Sequence, residues 1–169
     1  HRQFDDESDY SELAAAHDLV ILKASEVETE YGHVLVYGVT QALTQAFDFA
    51  SINNRLSDVI EAANAHGAIA VPCHPGRPKV GMFAHTEALG IPPGVQIVEI
   101  YNGGSRDDED QIARTGAEDN GYLGIGGSDS HIVSHVGRCA TRFEAHITSI
   151  DDLVAALKAG AFEAITLKT

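Results

Sequence analysis

The chain of 169 residues carries 25 acidic against 11 basic residues, a formal net charge of −14. This charge repels phosphate backbones and anionic lipids, so we expect neither nucleic acid nor a membrane as a partner. Hydrophobic residues make up 44% of the sequence, enough for the core of one domain, and no apolar run approaches the ~20 residues of a membrane span. Cys73 and Cys139 stand far apart in apolar surroundings, so the sequence predicts free thiols and a cytoplasmic protein.

Hydrophobic periodicity predicts strands that alternate with helices along the chain. The predicted strands span residues 18–24, 34–39, 68–72, 95–101, 122–126, 139–143 and 161–167. The predicted helices are one that ends at His17 and those over residues 56–66, 83–89, 108–120 and 150–159. Strands separated by helices are typical of βαβ units, so we expect one α/β domain, residues 1–169, with a parallel sheet that is open or closed into a barrel.

Side chains suited to metal ligation lie at the edges of several predicted strands. Glu26 and Glu28 follow the first strand, His33 precedes the second, His74 follows the third and Glu99 lies in the fourth. In a barrel of parallel strands all carboxyl ends face the same rim, so distant ligands can converge there. Taken singly, each of these residues could equally be a solvent-exposed loop acid or a turn residue without a role in metal binding. Taken jointly, they favour a metal site.

The run Gly-Gly-Ser-Asp-Ser-His at residues 126–131 follows the fifth predicted strand. In an extended backbone Asp129 and His131 point the same way, roughly 6 to 7 Å apart along the strand. A carboxylate and an imidazole at that spacing can serve one metal centre. The two glycines allow a turn or a close backbone approach at the strand end.

Four segments together resemble motifs of a known family. They are Glu-Val-Glu-Thr-Glu-Tyr-Gly-His (26–33), Val-Pro-Cys-His-Pro-Gly-Arg-Pro-Lys (71–79), Val-Glu-Ile-Tyr-Asn-Gly (98–103), and Gly-Ser-Asp-Ser-His (127–131) with Val-Gly at 136–137. In this order they are similar to the middle and later motifs of the PHP family, the polymerase and histidinol phosphatase family. The resemblance covers nearly the whole chain.

The resemblance implies a distorted (βα)7 TIM-like barrel that holds two or three divalent metals, Zn²⁺, Mn²⁺ or Fe²⁺, and hydrolyses phosphoesters. It implies that Glu26 bridges two metals, that His33 and His74 bind one of them, that Asp129 binds the other and that His131 reaches a third. Glu28 competes with Glu26 for the bridging role, although the offset to the Gly-His pair favours Glu26.

One family motif has no counterpart in this sequence. PHP proteins open with a His-x-His pair on their first strand, and this sequence has no such pair. His1 is a candidate for a different metal-binding histidine of the family, one that follows an Asp. We therefore expect the N-terminal strand or strands of the barrel to precede His1. The alternative is a degenerate site, because Glu26 and Asp129 alone make an incomplete shell for Zn²⁺ or Mn²⁺.

The expected activity is metal-dependent cleavage of a phosphoester in a small phosphorylated metabolite or nucleotide by an activated water, without a protein nucleophile. Arg77 and Arg138 are candidates for binding the phosphate, since a guanidinium can donate two parallel hydrogen bonds, and His135 for contacting the substrate. Surface ion pairs and a solvent-facing loop are the alternative readings of these residues. Two other functions stay open, namely a non-catalytic PHP-like module that binds metal or a partner, and a metal hydrolase that acts on amides.

Overall fold

A computed structural model describes residues 4–46 and 48–168. The helices among them are α1 (Ser11–His17), α2 (Gln41–Ala46), α3 (Leu56–Ala65), α4 (Thr86–Leu89), α5 (Asp107–Asn120) and α6 (Ile150–Ala159). The strands are β1 (Ala24–Thr29), β2 (Gly32–Tyr37), β3 (Ile69–Pro72), β4 (Ile97–Asn102), β5 (Leu123–Gly127), β6 (Cys139–Phe143) and β7 (Phe162–Thr166). None of the helices in these two ranges has both the length and the apolar character needed to cross a membrane.

The strands form three small sheets, which corrects the predicted (βα)7 TIM-like barrel. β1, β2 and β3 form an antiparallel sheet, β6 and β7 form an antiparallel pair, and β4 pairs with β5 in parallel. No barrel is present in the described part of the chain. The prediction of parallel strands holds for β4 and β5 and fails for the other pairs; β1 and β2, for example, are joined by the two residues Glu30 and Tyr31, and so short a connection can join only antiparallel strands.

The first strand lies later in the chain than the sequence predicted. Residues 18–23 form no strand, and the side chains of Leu19 and Val20 are more than half exposed. The strand is β1 instead, which pairs with β2 from Ala24↔Tyr37 to Thr29↔Gly32. The position of the first strand is therefore determined by its pairing with β2 and not by the apolar character of residues 18–24. Helix α2 was not predicted.

Two clusters of buried apolar side chains make up the core. One joins β1 and β2 to α3, and the other joins β3, β4 and β5 to α6. The β4–β5 and β6–β7 sheets are also connected by polar contacts, because the Thr141 hydroxyl accepts a hydrogen bond from the backbone N–H of Gly126 (3.0 Å) and donates one to its carbonyl (2.8 Å).

The two long helices of the second half begin and end close to their predicted limits. At the start of α6, the Ser149 side chain accepts a hydrogen bond from the Asp152 N–H (3.1 Å), as an N-cap does. At the start of α5, Glu109 accepts from the backbone N–H of Arg106 (2.8 Å). Both helices thus begin at caps formed by residues close to them in the sequence.

Truncating the side chain that α6 buries against β3, β4 and β5 should destabilise the protein. Leu157 is 2% exposed, so Leu157→Ala should lower the free energy of unfolding by about 2–5 kcal/mol in urea denaturation. Leu13, on α1, is 50% exposed, and Leu13→Ala should change the free energy of unfolding by less than about 0.5 kcal/mol. Equal effects of the two substitutions would contradict the packing described for α6.

Candidate metal centre

Three side chains that the sequence predicted as metal ligands lie together. Glu26 is on β1, His33 on β2, and His74 directly after Cys73 beyond the end of β3. A Glu26 carboxylate oxygen lies 2.9 Å from Nδ1 of His33 and 3.5 Å from Nε2 of His74. One ligand atom from each residue lies within 4.8 Å of the others. This is the spacing at which three side chains can hold one cation.

The hairpin of β1 and β2 brings Glu26 and His33 together. The sequence placed both residues outside strands, which is incorrect, because they lie within β1 and β2. Gly32 begins β2 with φ +95°, and a Cβ there would lie 2.1 Å from the carbonyl oxygen of Val80. That same oxygen accepts a hydrogen bond from the His33 N–H (3.0 Å), so glycine is needed for the loop to approach and fix β2 beside His33.

His74 is buried at the centre of the group, with its ring 5.1 Å from that of His33 in an edge-on arrangement. Its Nδ1 atom is buried and has no hydrogen-bond partner within residues 4–46 and 48–168. The other ring nitrogen, Nε2, is the one that faces the Glu26 carboxylate, at 3.5 Å. Two imidazoles and a carboxylate are also ligands that Zn²⁺ and Mn²⁺ accept, so these residues fit a divalent metal.

The charge of Glu26 suits cation binding. Burial tends to raise the pKa of this carboxyl, but the hydrogen bonds from His33 and His74 outweigh burial and hold the pKa below its ordinary value. Glu26 is therefore ionised throughout the physiological pH range. Glu28, the alternative carboxylate on the same strand, is not a member of the three-residue group.

Asp129 lies apart from this group and is held by an arginine. Its Oδ2 accepts a hydrogen bond from Arg77 at 2.7 Å. The Arg77 guanidinium also donates to Oδ1 of Asn102 (2.7 Å) and to the Ser105 hydroxyl (2.8 Å). Arg77, predicted to bind a phosphate, is thus already engaged by three side chains of the protein.

The predicted alternation of Asp129 and His131 is not observed. β5 ends at Gly127, and Asp129 has φ +44°, so the backbone is not extended there. The His131 side chain is 84% exposed, with Nδ1 3.7 Å from a carboxylate oxygen of Asp129. His135 and Arg138 follow on the same loop. His1 lies outside the described residues.

Glu99 and Asn102, on β4, connect the two groups of side chains. Glu99 is buried, and its Oε2 accepts hydrogen bonds from the His74 N–H (2.8 Å) and from the Asn102 side-chain amide (2.8 Å). The opposite oxygen lies so close to Gly127 that a Cβ there would be 2.4 Å away. Burial raises the Glu99 pKa to about 7 despite these two hydrogen bonds. Asn102 was missed as a site residue, although its place in Tyr-Asn-Gly-Gly directly after an apolar run was a usable signal.

Comparison with known proteins concerns the second half of the chain. The sequence model of a family described as PHP-associated matches residues 109–162, which include Asp129, His131, His135 and Arg138. The match is consistent with a PHP-domain family protein, and it includes the last of the four segments on which the resemblance rests, residues 127–131 with 136–137. No curated protein matches the chain.

Replacing Glu99 with glutamine should make the free energy of unfolding less sensitive to a rise in pH from 5 to 8. The folded-state pKa lies above the unfolded value, so the native protein binds the extra proton and loses stability as pH rises from about 4.5 to about 7. Glutamine does not titrate but keeps the oxygen that accepts both hydrogen bonds. Between pH 5 and pH 8, Glu99→Gln should therefore gain on the order of 2–3 kcal/mol relative to the parent chain in urea denaturation of metal-free protein.

The control for this comparison is Glu144→Gln, since Glu144 is exposed. The stability difference between this variant and the parent chain should not change with pH. A pH-independent difference for Glu99→Gln as well would show that Glu99 titrates in its ordinary range.

Proposed function

We propose that the chain forms part of a metal-dependent phosphoesterase that acts on a small phosphorylated metabolite or nucleotide. The observation that carries the proposal is the group of Glu26, His33 and His74, in which one candidate metal-ligand atom from each residue lies within 4.8 Å of the others. The match to the PHP-associated family supports a PHP-type context for this group.

The roles proposed for the side chains follow from their positions. Glu26, His33 and His74 hold a cation, with the ionised Glu26 supplying the negative charge. A bound divalent metal would supply Lewis acidity, which activates water at neutral pH and offsets the charge of a phosphoryl group. The hydrogen bond from the His74 N–H to Glu99 orients the backbone of His74. No side chain is proposed as a nucleophile.

Asp129 and His131 are proposed to bind further metals, as the PHP resemblance implies. Arg77 holds Oδ2 of Asp129 at 2.7 Å, and the other carboxylate oxygen, Oδ1, lies 3.7 Å from Nδ1 of His131. His131 is exposed and sits on the loop that follows. We propose two or three metals in the complete site, of the kinds that accept imidazole and carboxylate ligands, Zn²⁺, Mn²⁺ or Fe²⁺.

A second candidate function is a non-catalytic module that binds one metal. The ion pair of Asp129 with Arg77 favours it, because a carboxylate held by an arginine is less available to a cation. The number of metals bound per chain distinguishes the two candidates. Two or three favour the enzyme, and one favours the module.

Metal binding provides the direct test of the ligand group. Titration of metal-free protein with Zn²⁺ or Mn²⁺, followed by calorimetry, should show that Glu26→Gln weakens the tightest site at least 10-fold, because the substitution removes the only anionic ligand of the group. The matched control is Glu28→Gln, two residues along the same strand and outside the group. Unchanged affinity in Glu26→Gln, or equal loss in both variants, would contradict the assignment.

Hydrolysis is tested with p-nitrophenyl phosphate and bis(p-nitrophenyl) phosphate in the presence of Mn²⁺ or Zn²⁺. We expect metal-dependent turnover that chelation abolishes, that falls at least 100-fold in Glu26→Gln and in Asp129→Ala, and that persists in Glu28→Gln. Inhibition by vanadate would separate phosphoester from amide chemistry. Intact metal binding with no turnover of either substrate would leave the non-catalytic module as the function.

A further inference from the structure

A cavity lies beside the loop that follows β4. It encloses about 760 Å³ and is bordered by that loop, by α5, by the segment before β6 and by the end of the described chain after β7. Its lining includes three cationic side chains, Arg114, Arg138 and Lys168, which come from three separate parts of the sequence. Three cations around one cavity are notable in a chain with a net charge of −14.

Arg114 is held in place but keeps hydrogen-bonding capacity. Its guanidinium stacks on the ring of Tyr101 at 5.2 Å and donates to the Tyr101 hydroxyl at 3.1 Å. Its Nε is buried and has no hydrogen-bond partner among residues 4–46 and 48–168. Its Nη2 donates to the side-chain oxygen of Gln111, so each of the two terminal nitrogens has one N–H engaged by the protein and a second N–H for a ligand.

Within the described residues, Lys168 is engaged by the protein in an ion pair, whereas Arg138 is not. Lys168 forms an ion pair with Asp110 (2.6 Å) and donates to the Ser105 carbonyl (2.8 Å), so it fixes the wall of the cavity. Arg138 is exposed, and no ion pair is found for its side chain in the described part of the chain. Asp107 also lines the cavity from the exposed first turn of α5. With Asp110 neutralised by Lys168, the two arginines outnumber the remaining carboxylate.

The cavity and the Arg77–Asp129 pair share one loop. Ser105 lines the cavity, and its hydroxyl accepts a hydrogen bond from Arg77, which in turn binds Asp129. A ligand in this cavity would therefore lie near the Arg77–Asp129 pair, which Ser105 contacts from the wall of the cavity.

We propose that this cavity binds an oxyanion, a phosphate or a carboxylate, that the substrate carries in addition to the phosphoester that is cleaved. Arg114 and Arg138 donate the hydrogen bonds, in the geometry with which guanidinium groups recognise such groups. The identification of the ligand as part of the substrate rests on the proposed function, whereas oxyanion binding by the cavity does not.

The test measures anion binding without metal. The protein is stripped of metal, the chelator is removed by dialysis, and inorganic phosphate or malonate is titrated while ¹H–¹⁵N NMR shifts are recorded. We expect saturable binding that weakens at least 10-fold in Arg138→Gln, with the tighter of the two probes identifying the chemistry of the ligand. The matched control is Arg142→Gln, since Arg142 is an exposed arginine on β6 that pairs with Glu163 and does not line the cavity. This control should bind within 2-fold of the parent chain.

A second variant tests Arg114, the half-buried arginine of the cavity. Arg114→Gln should also weaken binding at least 10-fold, and because Arg138 is exposed, Arg138→Gln remains informative if Arg114→Gln proves unstable. Absence of saturable binding, equal weakening in Arg138→Gln and Arg142→Gln, or full affinity in Arg138→Gln would each overturn the proposal. Glu26→Gln should leave phosphate binding unchanged, so loss of hydrolysis with intact anion binding would count against the proposed function and not against this cavity.

Discussion

The buried side chain of Asn102 is the constraint on which the arrangement of both sites depends. Its side-chain Nδ2 donates to Glu99, and its side-chain Oδ1 accepts from Arg77 and from the backbone N–H of Gly104. The backbone N–H of Asn102 donates to Asp110. Asn102 is 1% exposed, so these groups have no access to water as an alternative partner. Loss of the side chain would leave several buried polar groups unsatisfied at once, which costs more than any single hydrogen bond contributes.

Hydrogen bonds through Asn102 connect the candidate metal centre to the loop that lines the cavity. Glu99 binds the backbone of His74 on one side of Asn102, and Arg77 binds Asp129 on the other. Side chains from β1, β2, the β3 end, β4 and the β5 end are thereby fixed relative to one another although they belong to separate sheets. Networks of this kind fix positions well, because each member has its geometry set by more than one partner.

The sequence predicted local features better than long-range ones. Helices α5 and α6 were located because their caps and apolar faces are encoded within the helix itself. The barrel was wrong because an apolar run such as 68–72 reads the same in a parallel and an antiparallel sheet. The meeting of Glu26, His33 and His74 was anticipated from the motifs, whereas the left-handed backbone at Asp129 was not, since non-glycine residues rarely adopt it. Arg114 lies on α5 and Lys168 lies 54 residues later, after the end of β7, and nothing local to either indicates that they share a cavity.

The distribution of charge bears on the kind of ligand that the two sites can select together. Most of the surface of a chain with 25 acidic residues repels anions, so a phosphorylated compound gains affinity only where cations are concentrated. Arg77 and Lys168 cannot supply that attraction alone, because each is matched by a carboxylate within 2.7 Å. In the proposed function, this attraction comes from a cation at Glu26, His33 and His74, and in the proposed cavity it comes from Arg114 and Arg138. A ligand with one anionic group could satisfy only one of these positions, and a ligand with two separated anionic groups could satisfy both.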